Sequence, residues 1–247
     1  MTVHGFLKST FDKNPTPIHF NDFIERIRNG TYKVEADKIR AFINGGPDKT
    51  SDVYKSQLAK LKQQLPGLVP SLLYTPGERT GGALSGVLCI DYDDCDGDVG
   101  NSVEPLLFIK RLQEVRGSKH LLAACTSISG RGVAAFYRYN ISQIVFIDQT
   151  GATSSEFDLI TGTPMERFRR VPKANFGFIM TQMENAGFIL PSWDAQVKDF
   201  SRLRFISYDP DCYYNPDVEP LDLVISVAEM ILKGKRNPTI VYQVVNF

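Results

Sequence analysis

Over the first third of the chain, apolar residues recur every three or four positions. Phe20, Phe23, Ile24 and Ile27 predict a helix that Gly30 stops. A second helix is expected near Glu35–Ile43, ended by Asn44-Gly45-Gly46. A third starts at Thr50 or Ser51, carries Val53, Leu58 and Leu61, and stops before Pro66-Gly67. Residues 1–18 show little period, and Pro15 and Pro17 mark a loop. From Leu68 the pattern changes. Leu68–Tyr74 is an apolar run despite Pro70, and Val87–Asp91, Leu121–Thr126 and Val133–Tyr139 are short apolar runs bounded by turn residues, as buried strands are. Val103–Val115 interrupts them with Leu106, Leu107, Ile109 and Leu112 at helical spacing. Further on, Ile144–Ile147 is a short strand-like run and Thr150–Thr163 is polar, like an insertion. Phe176–Phe188 reads as a helix closed by Gly187, Leu203–Tyr208 as a strand, Leu221–Leu232 as a last amphipathic helix, and Ile240–Val245 as a strand or tail. The sum is an α+β chain, with a helical N-terminal region over residues 1–66 packed on a core formed by 67–247.

Charge and cysteine usage narrow the chemistry. Lys plus Arg and Asp plus Glu are 28 each in a chain of 247 residues, so any nucleic acid is held by a local patch and not by a global field. The densest basic stretch is Glu166-Arg167-Phe168-Arg169-Arg170-Val171-Pro172-Lys173; Lys49, Lys55, Lys60 and Lys62 read as a solvated helical face. Cys89, Cys95, Cys125 and Cys212 form no C-x-x-C pair, so a zinc site is not expected, and Cys89 and Cys125 fall inside strand-like runs as core thiols. With no basic-then-apolar leader and no apolar stretch near ~20 residues, a reduced, cytoplasmic protein is expected.

Three stretches carry candidate chemistry. Val87-Leu88-Cys89-Ile90-Asp91-Tyr92-Asp93-Asp94 runs an apolar strand into alternating aspartates. Residues i and i+2 of a strand share a face, so Asp91 and Asp93 project together, and their mutual repulsion is relieved by a divalent cation. Hard oxygen donors suit Mg²⁺ or Mn²⁺. Solvated turns also use such acidic clusters. The second stretch, Ser127-Ile128-Ser129-Gly130-Arg131-Gly132, offers hydroxyls, flexible glycines and a guanidinium to a phosphate, and is equally a common hairpin turn. It is not a Walker A sequence. In the third, Asp199 stands ahead of a strand bearing Arg202 and Arg204, either a second acidic site or a structural ion pair.

In this order, the three resemble the archaeo-eukaryotic primase (primase–polymerase) superfamily. The closer likeness is to its branch found as the N-terminal domain of virulence-associated protein E-type replication proteins of bacterial mobile elements. The phrases that carry it are Ile90-Asp91-Tyr92-Asp93-Asp94, the Ser127–Gly132 loop, and Asp199-Phe200-Ser201-Arg202-Leu203-Arg204 through Pro210, within about residues 68–215. The resemblance implies an RRM-like sheet facing a second small α/β unit, with the active site between them. It implies that Asp91, Asp93 and Asp199 hold Mg²⁺ or Mn²⁺. Ser127, Ser129, Arg131 and the backbone of Gly130 and Gly132 would take the triphosphate, and Arg202 and Arg204 would contact phosphates or brace Asp199. The expected reaction is nucleotidyl transfer on a single-stranded DNA template in replication of a mobile element or phage, with nucleoside triphosphates as substrates and a separate or fused helicase as partner. One departure stands out: Ala134 occupies the position where many active members carry a His. A non-catalytic nucleotide- or nucleic-acid-binding module and a metal-dependent nuclease are the alternatives.

Overall fold

A computed structural model describes residues 2–6, 16–46, 48–74, 82–93, 104–147, 153–154, 180–181, 183–191, 193–194 and 203–228. The fold is α+β and turns on one long strand, β8 (Val133–Ile147). Its first part lies between β6 (Val87–Tyr92) and β7 (Leu121–Thr126), antiparallel to both. Its second part pairs in parallel with β12 (Leu221–Ala228) and antiparallel with β9 (Thr153–Ser154). β11 (Tyr213–Tyr214) extends the sheet beyond β7. A separate four-stranded sheet runs β10 (Arg204–Phe205), β3 (Gly67–Val69), β1 (Thr2–Phe6) and β2 (Thr16–His19), and β4 (Leu72–Tyr74) pairs with β5 (Gly82–Leu84).

The N-terminal helices form where the 3.6-residue period places them. α1 (Phe20–Arg28) buries Phe20, Phe23, Ile24 and Ile27. α2 (Lys33–Gly45) buries Ala36, Ile39 and Ile43. α3 (Asp52–Gln63) starts at Ser51, whose hydroxyl accepts the Tyr54 N–H at 3.1 Å and satisfies one of the otherwise orphaned first-turn donors. α4 (Pro105–Leu112) joins β6 to β7, and Pro105 stands at its start, where a missing N–H costs nothing. Residues 180–181 and 183–185 are helical, and Gly187 follows at φ 70°, in line with the helix expected there.

Four expectations are corrected. Residues 2–6 and 16–19 are not loop but the paired strands β1 and β2, with Val3 opposite Ile18. The aperiodic flanks hid a two-stranded unit whose partners lie at β3. Leu221–Leu232 is not helical through its described part: Leu221–Ala228 is strand β12. Its β-branched Val224, Ile225 and Val227 suit a strand, and β8 runs far enough past β6 and β7 to supply the ladder partner. The Leu68–Tyr74 run is split by the Pro70–Ser71 turn into β3 and β4. The strand expected over Leu203–Tyr208 is reduced to Arg204–Phe205. Residues 166–173 and 240–245 lie outside the described residues.

β6 is apolar on both faces because both faces are covered. Leu88, Ile90 and Tyr92 join Phe108, Ile109 and Leu112 of α4 in one core. Val87 and Cys89 join Phe20, Phe23, Ile24 and Ile39 in the other, with Ala134 and Phe136 of β8. The first core also encloses the phenols of Tyr92, Tyr137 and Tyr139, and burial pushes all three above the ordinary phenol range. A raised folded-state pKa holds the proton in the folded form. This contribution is complete below the unfolded value near 10 and is lost as pH climbs from there towards the raised folded value. Stability should therefore fall above about pH 10.5 by about 4 kcal/mol per pH unit for three such groups. In an alkaline titration followed at 295 nm, these phenols should ionise together with unfolding; more than seven of the chain's ten tyrosines ionising while the protein is still folded would contradict this.

Candidate functional site

Strand alternation decides where the aspartates go. Asp91 follows Val87 and Cys89 onto the face of β6 covered by the N-terminal helices, and Asp93 follows Asp91. A partner waits there. Arg204 Nη1 donates to Asp91 Oδ2 at 2.6 Å, with side chains only 8% and 14% exposed, and Arg204 Nε donates to Cys89 Sγ at 3.0 Å. Burial works to lower the Arg204 pKa; Cys89 and the Asp91 and Asp93 carboxylates outweigh it, so the net direction is upward and the guanidinium stays charged. Because Arg204 belongs to β10 and Asp91 to β6, this ion pair fastens one sheet to the other.

The Ser127–Gly132 loop links β7 to β8 and packs against the end of β6. Ser127 N–H donates to Gly132 O at 2.8 Å, and Gly130 N–H to Ser127 O at 2.9 Å. Gly132 N–H donates to Ser127 Oγ at 3.2 Å, Arg131 N–H to Ser129 Oγ at 3.3 Å, and the two serine hydroxyls lie 2.8 Å apart. The loop's oxygens thus already engage the N–H groups of residues 130 to 132, and one of the two serine hydroxyl hydrogens is spent between the serines, leaving the other as the donor the pair can present. Gly130 takes φ +76° beside the Arg40 side chain. A Cβ on Gly132 would sit 2.4 Å from the Tyr92 carbonyl oxygen, a backbone atom that cannot turn aside. Gly132→Ala should cost about 1–3 kcal/mol, from the cost of overpacking, read as a lower urea midpoint; an unchanged midpoint would deny the close approach.

These parts meet in a cavity of about 410 Å³, within the range of small-molecule sites. Asp91, Asp93, Ser127, Ser129 and Arg204 line it, with Phe23, Phe136 and Leu203 as apolar wall. Ala134, directly across the ladder from Asp91, presents its methyl group to the same space. Gly130 and Gly132 serve the loop's turn. Arg131 points elsewhere: its Nη2 donates to Asn44 Oδ1 at 2.9 Å, at the end of α2. Asp94, Asp199 and Arg202 lie outside the described residues. Asp194 N–H donates to Asp91 O at 2.7 Å.

Two contributors escaped the sequence reading. Lys62, expected on a solvated face, is half-buried and lines the cavity. The signal was present: Lys62 follows Leu58 by four residues and Leu61 by one, which puts it on the flank of the apolar stripe. Arg40 of α2 donates through Nη2 to Tyr208 O at 2.8 Å and Ser207 Oγ at 3.2 Å, with Ser127 O at 3.5 Å, bracing the serine loop against the 207–208 segment. An Arg on the edge of an amphipathic helix carries no local mark of such a role.

Among the described residues, no group of three or more His, Cys, Asp or Glu side chains gathers to hold a metal. Asp91 and Asp93 are two hard carboxylate donors on one cavity. That set fits a Mg²⁺ or Mn²⁺ ion that keeps several waters and shares its remaining positions with substrate phosphates, a mode needing only one or two carboxylates. No helix among the described residues is long and apolar enough to cross a membrane. No protein-family model, curated protein or solved structure matches the chain.

Proposed function

We propose that this chain is a metal-dependent nucleotidyltransferase of primase–polymerase type, extending a strand on a single-stranded DNA template in replication of a mobile element or phage. One observation carries the reading: three stretches far apart in sequence, the Asp91/Asp93 strand, the Ser127/Ser129 loop and the Arg204 strand, line a single cavity. The local topology supports it too. β6, α4, β7 and β8 follow one another with β8 between β6 and β7, as in half of an RRM-like sheet.

In this reading Asp91 and Asp93 hold Mg²⁺ or Mn²⁺, with Asp199 as the third carboxylate that the family resemblance supplies. Such an ion lowers the cost of ionising the attacking 3′-hydroxyl and of the charge developing on the leaving pyrophosphate. The chain's own residues do the positioning. Arg204 holds the Asp91 carboxylate at a fixed angle, so its other oxygen is oriented before substrate arrives. Of the hydrogen-bonded Ser127 and Ser129 hydroxyls, the one whose hydrogen is not spent on the other donates to a phosphate oxygen, and Phe23 and Phe136 give the cavity an apolar wall. A helicase, separate or fused, would supply the unwound template.

Ala134 favours a second reading, a nucleotide-binding module without catalysis. At that position many members of the superfamily carry an imidazole; here a methyl group faces the cavity and donates nothing. Primer extension with labelled nucleotides and Mn²⁺ separates the readings. Template-dependent lengthening supports the transferase; nucleotide binding without lengthening supports the module; shortened DNA supports a nuclease and ends both.

A further inference from the structure

We propose that Arg40 and Arg131 form a strip that holds the phosphate backbone of single-stranded nucleic acid, running from the serine loop along one flank of α2. This rests on the nucleic-acid side of the proposed function and gives the strand a path outside the cavity.

Packing builds the strip. Arg131 Nη2 donates to Asn44 Oδ1 at 2.9 Å. Asn44 follows Arg40 by four residues on α2, so the two share a flank of that helix, about 6 Å apart along its axis. A Cβ on Gly130 would lie 3.2 Å from Arg40 Cδ, so the turn of the loop rests on the Arg40 side chain and delivers Arg131 beside it. Ser127, Ile128 and Ser129 of the same loop line the cavity, whereas Arg40 and Arg131 do not. The loop thus has a hydroxyl side towards the cavity and a guanidinium side towards α2.

Among the described residues, neither guanidinium has a carboxylate within ion-pair distance. Asp37, on the same flank, pairs with Lys33, and the Asp209 carboxylate accepts from the Thr126 and Asp211 N–H groups. Arg40 bonds through Nη2 alone, and of its nitrogens only Nε is buried without a partner, so Nη1 stays open to an incoming acceptor. Arg131 likewise uses only Nη2 of its guanidinium. Both side chains are already held in place, which reduces the ordering cost of binding, and the planar guanidinium suits phosphate oxygens. A nucleotide confined to the cavity has no phosphate beyond the loop. A strand that runs on past Gly130 carries one to each arginine. A cation near the C-terminal end of a helix is also favoured by the helix dipole. The discriminating readout is therefore the salt dependence of binding, which a purely structural role would not move.

Fluorescence anisotropy of the full chain with a labelled oligothymidylate, in EDTA and without nucleotide, over a salt series tests this. Each single-strand phosphate neutralised contributes about 0.7 to the slope of log affinity against log salt. Arg40→Gln and Arg131→Gln should each reduce the slope by about 0.7 and weaken binding about fivefold at low salt. Arg131→Lys should keep the wild-type slope. Lys38→Gln, the same charge change on an exposed residue about 200° round the helix from Arg40, should bind as wild type does. Circular dichroism confirms folding; if Arg40→Gln, which also loses its brace on residues 207–208, does not fold, Arg131→Gln decides alone. No binding by wild type, a wild-type slope in either folded glutamine variant, or an equal loss in Lys38→Gln would each overturn the assignment. So would poly-glutamate that displaces the strand as well as unlabelled oligothymidylate does, which would make the strip a site for an acidic polypeptide. If strand binding depends on both arginines while primer extension fails, the transferase reading falls and this assignment stands. If extension succeeds and both glutamine variants bind the strand as wild type does, only this assignment falls.

Discussion

Asp93→Asn should lower template-dependent nucleotide incorporation by about 10³-fold while leaving the melting temperature within about 2 °C of wild type. The expected loss follows from removing a hard anionic donor to the metal. Charge stabilisation of several kcal/mol disappears from the transition state, and about 4 kcal/mol corresponds to 10³ in rate. Stability should be spared because Asp93 is exposed at the cavity rim, and substitutions at such sites usually move stability little. Asp91→Asn should show the same kinetic loss together with a lower melting temperature, since its carboxylate is the partner of a buried guanidinium. The two aspartates are thus predicted to be alike in activity and unlike in stability. Single-turnover primer extension with Mn²⁺, set beside thermal melts, reads both. Wild-type incorporation by Asp93→Asn would remove the metal from the site and the transferase with it.

The largest effect on stability is expected at Arg204. Arg204→Met should cost about 3 kcal/mol, at the lower end of what breaking a buried ion pair costs, because the cavity lets water reach the abandoned Asp91 carboxylate. For a chain of this size that is a fall of about 6–12 °C in melting temperature. The pair also joins β10 to β6, so its loss loosens one sheet from the other. A double substitution, Arg204→Met with Asp91→Leu, checks the cause. Replacing both charges by apolar groups is often neutral or better, whereas removing one leaves the other buried alone. The double variant should recover most of the lost stability and have no catalytic activity. A double variant less stable than either single one would show that packing around Arg204, and not its charge, holds the sheets together.

How much was legible depended on the range of the interactions involved. α1 and α2 could be read nearly to the residue, because each buries a stripe that repeats along its own helix, and α3 because it opens on its own capping serine, although only Tyr54 of its apolar residues is fully buried and Val53 is exposed. β6 and β7 were equally plain, as apolar runs covered on both faces. The alternation along β6 placed Asp91 and Asp93 on one side without help from any other part of the chain. Pairing was not legible. β1 and β2 show no period, and Leu221–Ala228 satisfies a helical stripe as well as a strand; in both cases the ladder partner decides, and that partner lies outside the element itself, on the far side of residues 7–15 for β1 and β2 and on β8 for β12.

The candidate site divides along the same line. The residues alone fixed which side chains could ligate a cation or donate to a phosphate, since carboxylates, hydroxyls and guanidinium groups carry those capacities wherever they lie. Tertiary structure alone turned Arg204 onto Asp91, sent Arg131 to Asn44, and drew Lys62 out of a run of solvated lysines into the cavity. Chemical capacity is a property of a residue, but proximity is a property of the packed sheets and helices. Only contacts between parts of the chain far apart in sequence, such as that between Asp91 and Arg204, could decide which capacities share one space.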